Sequence, residues 1–176
     1  MDARFPFPEF PTGWFAAGFG TELTAGRLLS RTWMGQEIVL FRDSSGAVAA
    51  LGAHCPHLGA HLGKGGLVEA GKLRCPFHAF GFDGEGRCVS TPYGGRVPPL
   101  RTRTWPVVER NGVILLWHDP GEREPAWTIP GEPASREWGA LSTRTYRVRT
   151  HPQETTENSI DFGHLGELHG DRKSVV

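Results

Sequence analysis

Neither sign of charge is in excess in this sequence. Its 19 Lys and Arg residues meet 19 Asp and Glu residues, so the formal net charge is zero with neutral histidines. A chain that neutralises nucleic-acid phosphates carries a basic surplus, so general nucleic-acid binding is excluded. Long hydrophobic runs are missing too. The longest, residues 113–117, falls far short of the ~20 apolar residues that span a bilayer. The opening MDARFPFPEFPT has neither the charged start nor the apolar stretch of a secretory signal. Cysteine is scarce, and three in 176 residues do not make a disulfide scaffold. These absences lead to the expectation of a cytoplasmic protein without a membrane span.

What is plentiful is glycine and proline, 24 and 14 residues, a composition that favours short strands and many turns over long helices. Six Trp and ten Phe are enough to build a core. GWFAAGF (Gly13–Phe19) and QEIVLF (36–41) are β-rich runs, and the second is followed by the turn signal DSSG and then AVAAL, a hairpin pattern. A clearer hairpin is WPVVER, then Asn111-Gly112, then VILLWH, because Asn-Gly supplies the two left-handed positions of a type I′ turn. Residues 52–95 are Gly-rich and too irregular for regular strands throughout, and a loop region that long in a compact domain is functional or held by something other than a core. Residues 121–139 read as a Pro/Gly-rich linker. STRTYRVRT (142–150) alternates like a strand, and the chain from Pro152 reads as helical. Four arginines, Arg101, Arg103, Arg147 and Arg149, are read as solvated strand faces in preference to a docking face for an acidic partner.

The informative feature lies in the Gly-rich stretch. CPHLGAHL begins at Cys55 and CPFHAFGF at Cys75, so Cys55 and His57 sit on one tight loop and Cys75 and His78 on another, with seventeen residues between the halves. Pro56 and Pro76 stiffen each loop just after its cysteine. Two thiolates and two imidazoles suit a metal centre. Structural zinc accepts that set, although zinc fingers pair Cys with Cys and His with His at spacings near C-x₂₋₄-C and H-x₃₋₅-H. Here each loop mixes the two types, as in an iron–sulfur centre in which one iron takes two Cys and the other two His. His54 and His61 flank the first loop and are read as supporting or surface groups, and Cys88 as a small apolar residue beneath the loops.

The pattern C-x-H-x₁₇-C-x₂-H, with these flanking residues, resembles a Rieske [2Fe–2S] domain over roughly residues 13–120. The resemblance implies that Cys55 and Cys75 bind one iron and His57 and His78 the other. It also implies a mainly β fold, an antiparallel Rieske-type β-sandwich with a cluster-binding loop subdomain (loops 54–62 and 75–82) within a domain at 1–120. Respiratory-chain members place an extra cysteine in each loop, where this sequence has Ala60 and Phe77, and they place hydroxyls where residues 79–82 have none. The resemblance is therefore to the oxygenase or ferredoxin type, with a reduction potential near the low end of the Rieske range, roughly −150 mV.

After the linker, Glu157-Asn158, Asp161, His164 and His169 follow the order E-N-x-x-D-x-x-H-x₄-H, which resembles the mononuclear-iron motif of Rieske non-haem iron oxygenases. That resemblance implies iron ligation by His164 and His169, an inter-subunit electron bridge at Asp161, and Asn158 close to the iron. Asp161 and His164 are three apart and share a helix face, whereas His164 and His169 lie about 140° apart on a regular helix. Irregular helix geometry is therefore expected between residues 163 and 169. The family's third ligand, an aspartate, lies far downstream, and the sequence ends seven residues after His169, with Glu167 and Asp171 as the only acids after His164. Residues 140–176 are accordingly expected to be a short α/β N-terminal fragment of a helix-grip-type catalytic domain, with mononuclear Fe(II) a feature of the complete enzyme and the isolated chain inactive. The strand-like edge at 142–150 carries an expectation of self-association.

The functional expectation is the electron-transfer portion of an O₂-activating monooxygenase or desaturase. A reductase or ferredoxin would supply it, a trimer is expected for the complete enzyme, and the substrate would be an apolar small molecule, closer to the sterol type than to aromatic rings. A stand-alone Rieske ferredoxin-like carrier and a structural zinc protein are the alternatives.

Overall fold

The computed structural model describes residues 9–131 and 142–170. The second half of the linker stretch, and Asp171, lie outside the described residues. The chain divides into two compact units, Met1–Gly139 and Ala140–Val176.

Among its described residues, the first unit has ten antiparallel strands in three sheets. β1 (Gly13–Phe19), β10 (Val113–His118) and β9 (Val107–Arg110) form one sheet in the order β1-β10-β9. A second sheet runs β2-β3-β4, from β2 (Leu28–Trp33), β3 (Gln36–Arg42) and β4 (Val48–Gly52). The Gly-rich region supplies the third, in the order β5-β6-β7-β8, from β5 (Leu67–Glu69), β6 (Lys72–Arg74), β7 (Gly81–Phe82) and β8 (Cys88–Ser90). Four strands thus exist where the sequence suggested mostly loop, each only two or three residues long.

The run Ile38-Val39-Leu40-Phe41 explains the layering. All four side chains are fully buried, although successive residues of a strand point to opposite faces. Ile38 and Leu40 pack with Trp33, Trp105, Ile114 and Leu116 between the two three-stranded sheets. Val39 and Phe41 pack with Leu51, Leu62, Leu73 and Phe82 on the side of the four-stranded sheet. The β2-β3-β4 sheet is therefore the middle layer, and an apolar run with no alternation is what a strand buried on both faces requires.

Asn111 and Gly112 adopt φ of 53° and 75°, the left-handed pair of a type I′ turn, and β9 and β10 pair across them from Val113↔Arg110 to Leu116↔Val107. Arg42, at the end of β3, holds the first two sheets together through a two-pronged pair with Glu109, at 2.8 and 3.1 Å, while its Nε donates to the Leu23 carbonyl.

Asp119 closes the chain after β10. Its carboxylate accepts from Arg123, from the Gly121 N–H and from the Thr12 hydroxyl, and its side chain is almost wholly buried. The Arg123 guanidinium holds its pKa well below the usual carboxylate range. A carboxylate with a lowered folded-state pKa stabilises the fold above its unfolded value of about 3.9, and that contribution is lost as pH falls towards the folded value. Asp119→Asn is therefore expected to lower the thermal midpoint at pH 7, with the gap to the parent narrowing below about pH 4. Thermal unfolding across a pH series checks this, and a gap that stays constant with pH contradicts it.

The second unit holds two helices, α1 (Pro152–Ile160) and α2 (Gly163–His169), and no strand among its described residues. The expected strand at 142–150 is absent, and with it the basis for an exposed strand edge there. The alternation of Tyr146 and Val148 with arginines has no neighbouring strand to pair with, and a lone extended segment gains nothing from pattern alone.

Candidate metal centre

The two Cys-Pro loops fold alike. In the first, the Cys55 N–H donates to the Ala60 carbonyl (2.9 Å) and the Gly59 N–H to the Cys55 carbonyl (2.8 Å). In the second, Cys75 N–H reaches Phe80 (2.8 Å) and Ala79 N–H reaches Cys75 (3.1 Å). Each loop is thus a tight turn closed by the same two backbone hydrogen bonds, with Gly59 and Ala79 at equivalent left-handed positions (φ 74° and 52°). The residue pairs at the roots also correspond, His54↔His61 in the first loop and Arg74↔Gly81 in the second.

Within this shared backbone the histidines are offset by one residue. His57 stands two residues after its cysteine and His78 three, so Leu58 and Phe77 occupy the positions at which the other loop has its imidazole. The offset still brings the rings together, with centroids 4.9 Å apart and edge-on. Phe80 packs its edge against His57 at 4.6 Å, and Phe77 lies against His78 at 3.9 Å. Phe80 and, beyond it, Tyr93 are members of this site that the sequence reading passed over, because no ligand chemistry marks them.

Both sulfurs are buried, each cysteine about 3% exposed, and both are free of disulfides. Burial pushes the Cys55 thiol up, as does the neighbouring Cys75 thiol, while the N–H groups of His57 and Leu58 aim at its sulfur and oppose the rise. A buried pair of thiols with N–H donors directed at one sulfur is a place prepared for a metal-bound thiolate. Cys88 lies in the same core, also pushed up by burial, with its Sγ 3.6 Å from the Ser90 carbonyl. The donor set divides into a sulfur pair and a nitrogen pair. Two protein ligands per iron is the arrangement of a mixed two-iron cluster. The residues fit that group.

The helical unit brings together three of its four candidate residues. Asp161 ends α1 and its Oδ1 accepts the Gly163 N–H that begins α2 (3.1 Å). His164 Nδ1 lies 3.5 Å from Asp161 Oδ2, and the His164 and His169 rings are 5.4 Å apart, edge-on. Asn158 is exposed on the last turn of α1, and no hydrogen bond of its side chain among the described residues joins it to the three. The expected irregularity between residues 163 and 169 does not occur. α2 is one seven-residue helix, and the departures from helix lie at its ends, at Asp161 and at the left-handed Gly170. At the two ends of so short a helix the imidazoles swing towards one another, which removes the need for a bulge.

Residues 13–105 match the family model for the Rieske [2Fe–2S] domain. The chain belongs to the Rieske non-haem iron oxygenase family. Residues 116–176 match a second model of that family, the 3-ketosteroid 9α-hydroxylase C-terminal domain. Among curated Rieske proteins, the chain is 40% identical over 171 residues to a cholesterol 7-desaturase of Bombyx mori, covering 96% of this chain and 37% of the relative. It is 34% identical to the oxygenase component of a Rhodococcus rhodochrous 3-ketosteroid-9α-monooxygenase, covering 92% of this chain and 43% of the relative. The solved structure of dicamba monooxygenase, another Rieske oxygenase, superposes with a TM-score of 0.59 at 40% identity, covering 67% of this chain and 38% of that one. The chain spans less than half the length of these relatives.

One position in the Rieske loops is strained. Ala79 holds φ of 52° where its counterpart is Gly59, and a left-handed alanine costs ~1–2 kcal/mol, part of which glycine returns as unfolded-chain entropy. Ala79→Gly is expected to stabilise the first unit by about 0.5–1 kcal/mol. Chemical denaturation of parent and variant checks it, and a destabilised variant contradicts the strain argument.

Proposed function

We propose that this chain is the electron-relay portion of a Rieske oxygenase acting on a steroid-type apolar substrate, by hydroxylation or desaturation. The observation that carries the reading is the pair of matching loops that sets two buried sulfurs and two contacting imidazoles at one end of the first unit. Cys55 and Cys75 are proposed to hold one iron and His57 and His78 the other. The cluster so held takes up and passes on one electron at a time, from a reductase or ferredoxin donor. The substrate class follows the names of the desaturase and monooxygenase relatives.

His164 and His169 are proposed as two ligands of a mononuclear iron. Asp161, against His164, is the proposed link to an imidazole of a neighbouring subunit, and Asn158 a residue near that iron. This assigns a homo-oligomer, a trimer in the complete enzyme. A cytoplasmic location is part of the reading. No helix among the described residues is long and apolar enough to cross a membrane.

Iron, acid-labile sulfide and zinc counted in one preparation test the proposal. About two irons and two sulfides per chain is the expected result. Zinc without sulfide overturns it.

A further inference from the structure

We infer that Glu37 is a charge-bearing positioning residue for the Cys55 loop, acting through His54 and His61 to hold the reduction potential of the centre down. The inference rests on the cluster reading given above.

His54 and His61 face each other across an isolated antiparallel bridge at the root of the first loop. One rung towards the tip is the Cys55–Ala60 hydrogen bond. One rung below, the Leu62 N–H donates to Ala53 (2.7 Å), and the Ala53 N–H donates to the backbone carbonyl of Glu37 (3.0 Å). The loop is thus docked on β3 at Glu37. Above that docking point the Glu37 carboxylate lies between the two rings. Oε2 is 3.5 Å from His54 Nε2 and Oε1 is 3.5 Å from His61 Nε2, contacts longer than ordinary hydrogen bonds. The rings are 5.2 Å apart. His61 Nδ1 accepts the Gly63 N–H at 3.1 Å, which puts the ring proton on Nε2, facing the carboxylate. The His61 side chain is only 12% exposed, whereas Glu37 and His54 are half exposed.

The second loop has nothing equivalent. Its root pair is Arg74 and Gly81. Arg74 turns to Glu69 in an exposed pair and Gly81 has no side chain to offer. Among the described residues, the carboxylate at the root of the Cys55 loop thus lies between two histidines, whereas the one at the root of the Cys75 loop is paired with Arg74. A fixed negative charge close to a redox centre disfavours the arrival of an electron, and outer groups of this kind tune a metal site without touching it.

The test compares the full chain, loaded with cluster, with Glu37→Gln and Glu37→Lys, using Glu122→Gln as the control for an exposed carboxylate. Iron and sulfide are counted first, then the midpoint potential is titrated. At a fixed ambient potential, Glu37→Gln is expected to raise the ratio of reduced to oxidised centres at least threefold. That is about 30 mV upward at 59 mV per decade for one electron. Glu37→Lys moves it further in the same direction, and Glu122→Gln leaves it in place. A fully loaded Glu37→Gln with an unchanged or lower potential overturns the inference. Should Glu37→Gln lose iron, Glu37→Asp decides. A loaded aspartate variant at the parent potential supports a role for the carboxylate, whereas loss of iron from both makes Glu37 a folding residue and overturns the inference. A parent chain without iron and sulfide is a separate result, the failure of the cluster reading itself.

Discussion

Cys75→Ser is expected to leave the chain with essentially no iron and no labile sulfide, where the parent holds about two of each. The change replaces a soft sulfur by a hard oxygen whose proton is far harder to remove, and iron–sulfur clusters are held by thiolates. Shape is barely altered, and the Cys75 N–H still reaches the Phe80 carbonyl, so far-ultraviolet circular dichroism should match the parent's without cluster. Cys88→Ser serves as the comparison. Cys88 shares the same core but stands outside the two loops, so this variant is expected to keep its iron while losing some stability through a buried hydroxyl. Metal and sulfide assays on both decide it. A Cys75→Ser chain that keeps two irons contradicts the assignment of Cys75, and a Cys88→Ser chain that loses them brings the third cysteine into the site.

Phe82→Ala is expected to be the most damaging core substitution, costing about 3–5 kcal/mol. Phe82 is fully buried on β7, opposite Leu73 of β6, and it packs in the core that also contains Cys55, Cys75 and Phe80. Against a total stability of roughly 5–15 kcal/mol this is a large share, and it corresponds to a fall in thermal midpoint of roughly 10–20 °C. Because the missing ring lies directly under the loops, the variant should also release iron faster than Phe41→Ala, a change at the far side of the same core. Calorimetry and the rate of iron capture by a chelator check the two halves separately. A midpoint within a few degrees of the parent's contradicts the packing argument.

Legibility followed the strength of local physics. Asn111-Gly112 announced its turn because two adjacent left-handed residues have few other uses, and β1, β3, β4, β9 and β10 lie on the apolar runs named for them. The four strands of the third sheet escaped because two or three residues carry no measurable period. They exist by pairing with one another and with the closed loops. The error at residues 142–150 is the converse, since a good period without a neighbour makes no strand. His54 and His61 were noticed individually, but their meeting on Glu37 joins residues 17 and 24 positions apart, with no motif to suggest it. A signal was nevertheless available. Once Cys55 and Ala60 are opposed in a tight loop, the next rung of an antiparallel ladder has to be His54 and His61.

The offset of the two histidines within otherwise matching loops has one more consequence. Leu58 follows His57 and Phe77 precedes His78, and these two apolar side chains are 63% and 64% exposed while the cysteines are buried. The tip therefore has a front and a back. Electron tunnelling weakens steeply with distance, so a molecule that collides with the rear of the sandwich finds no short path in, however often it does so. On the proposed ligand set, exchange would be confined to the small apolar surface around His57 and His78, and fidelity of transfer would become a matter of insulation.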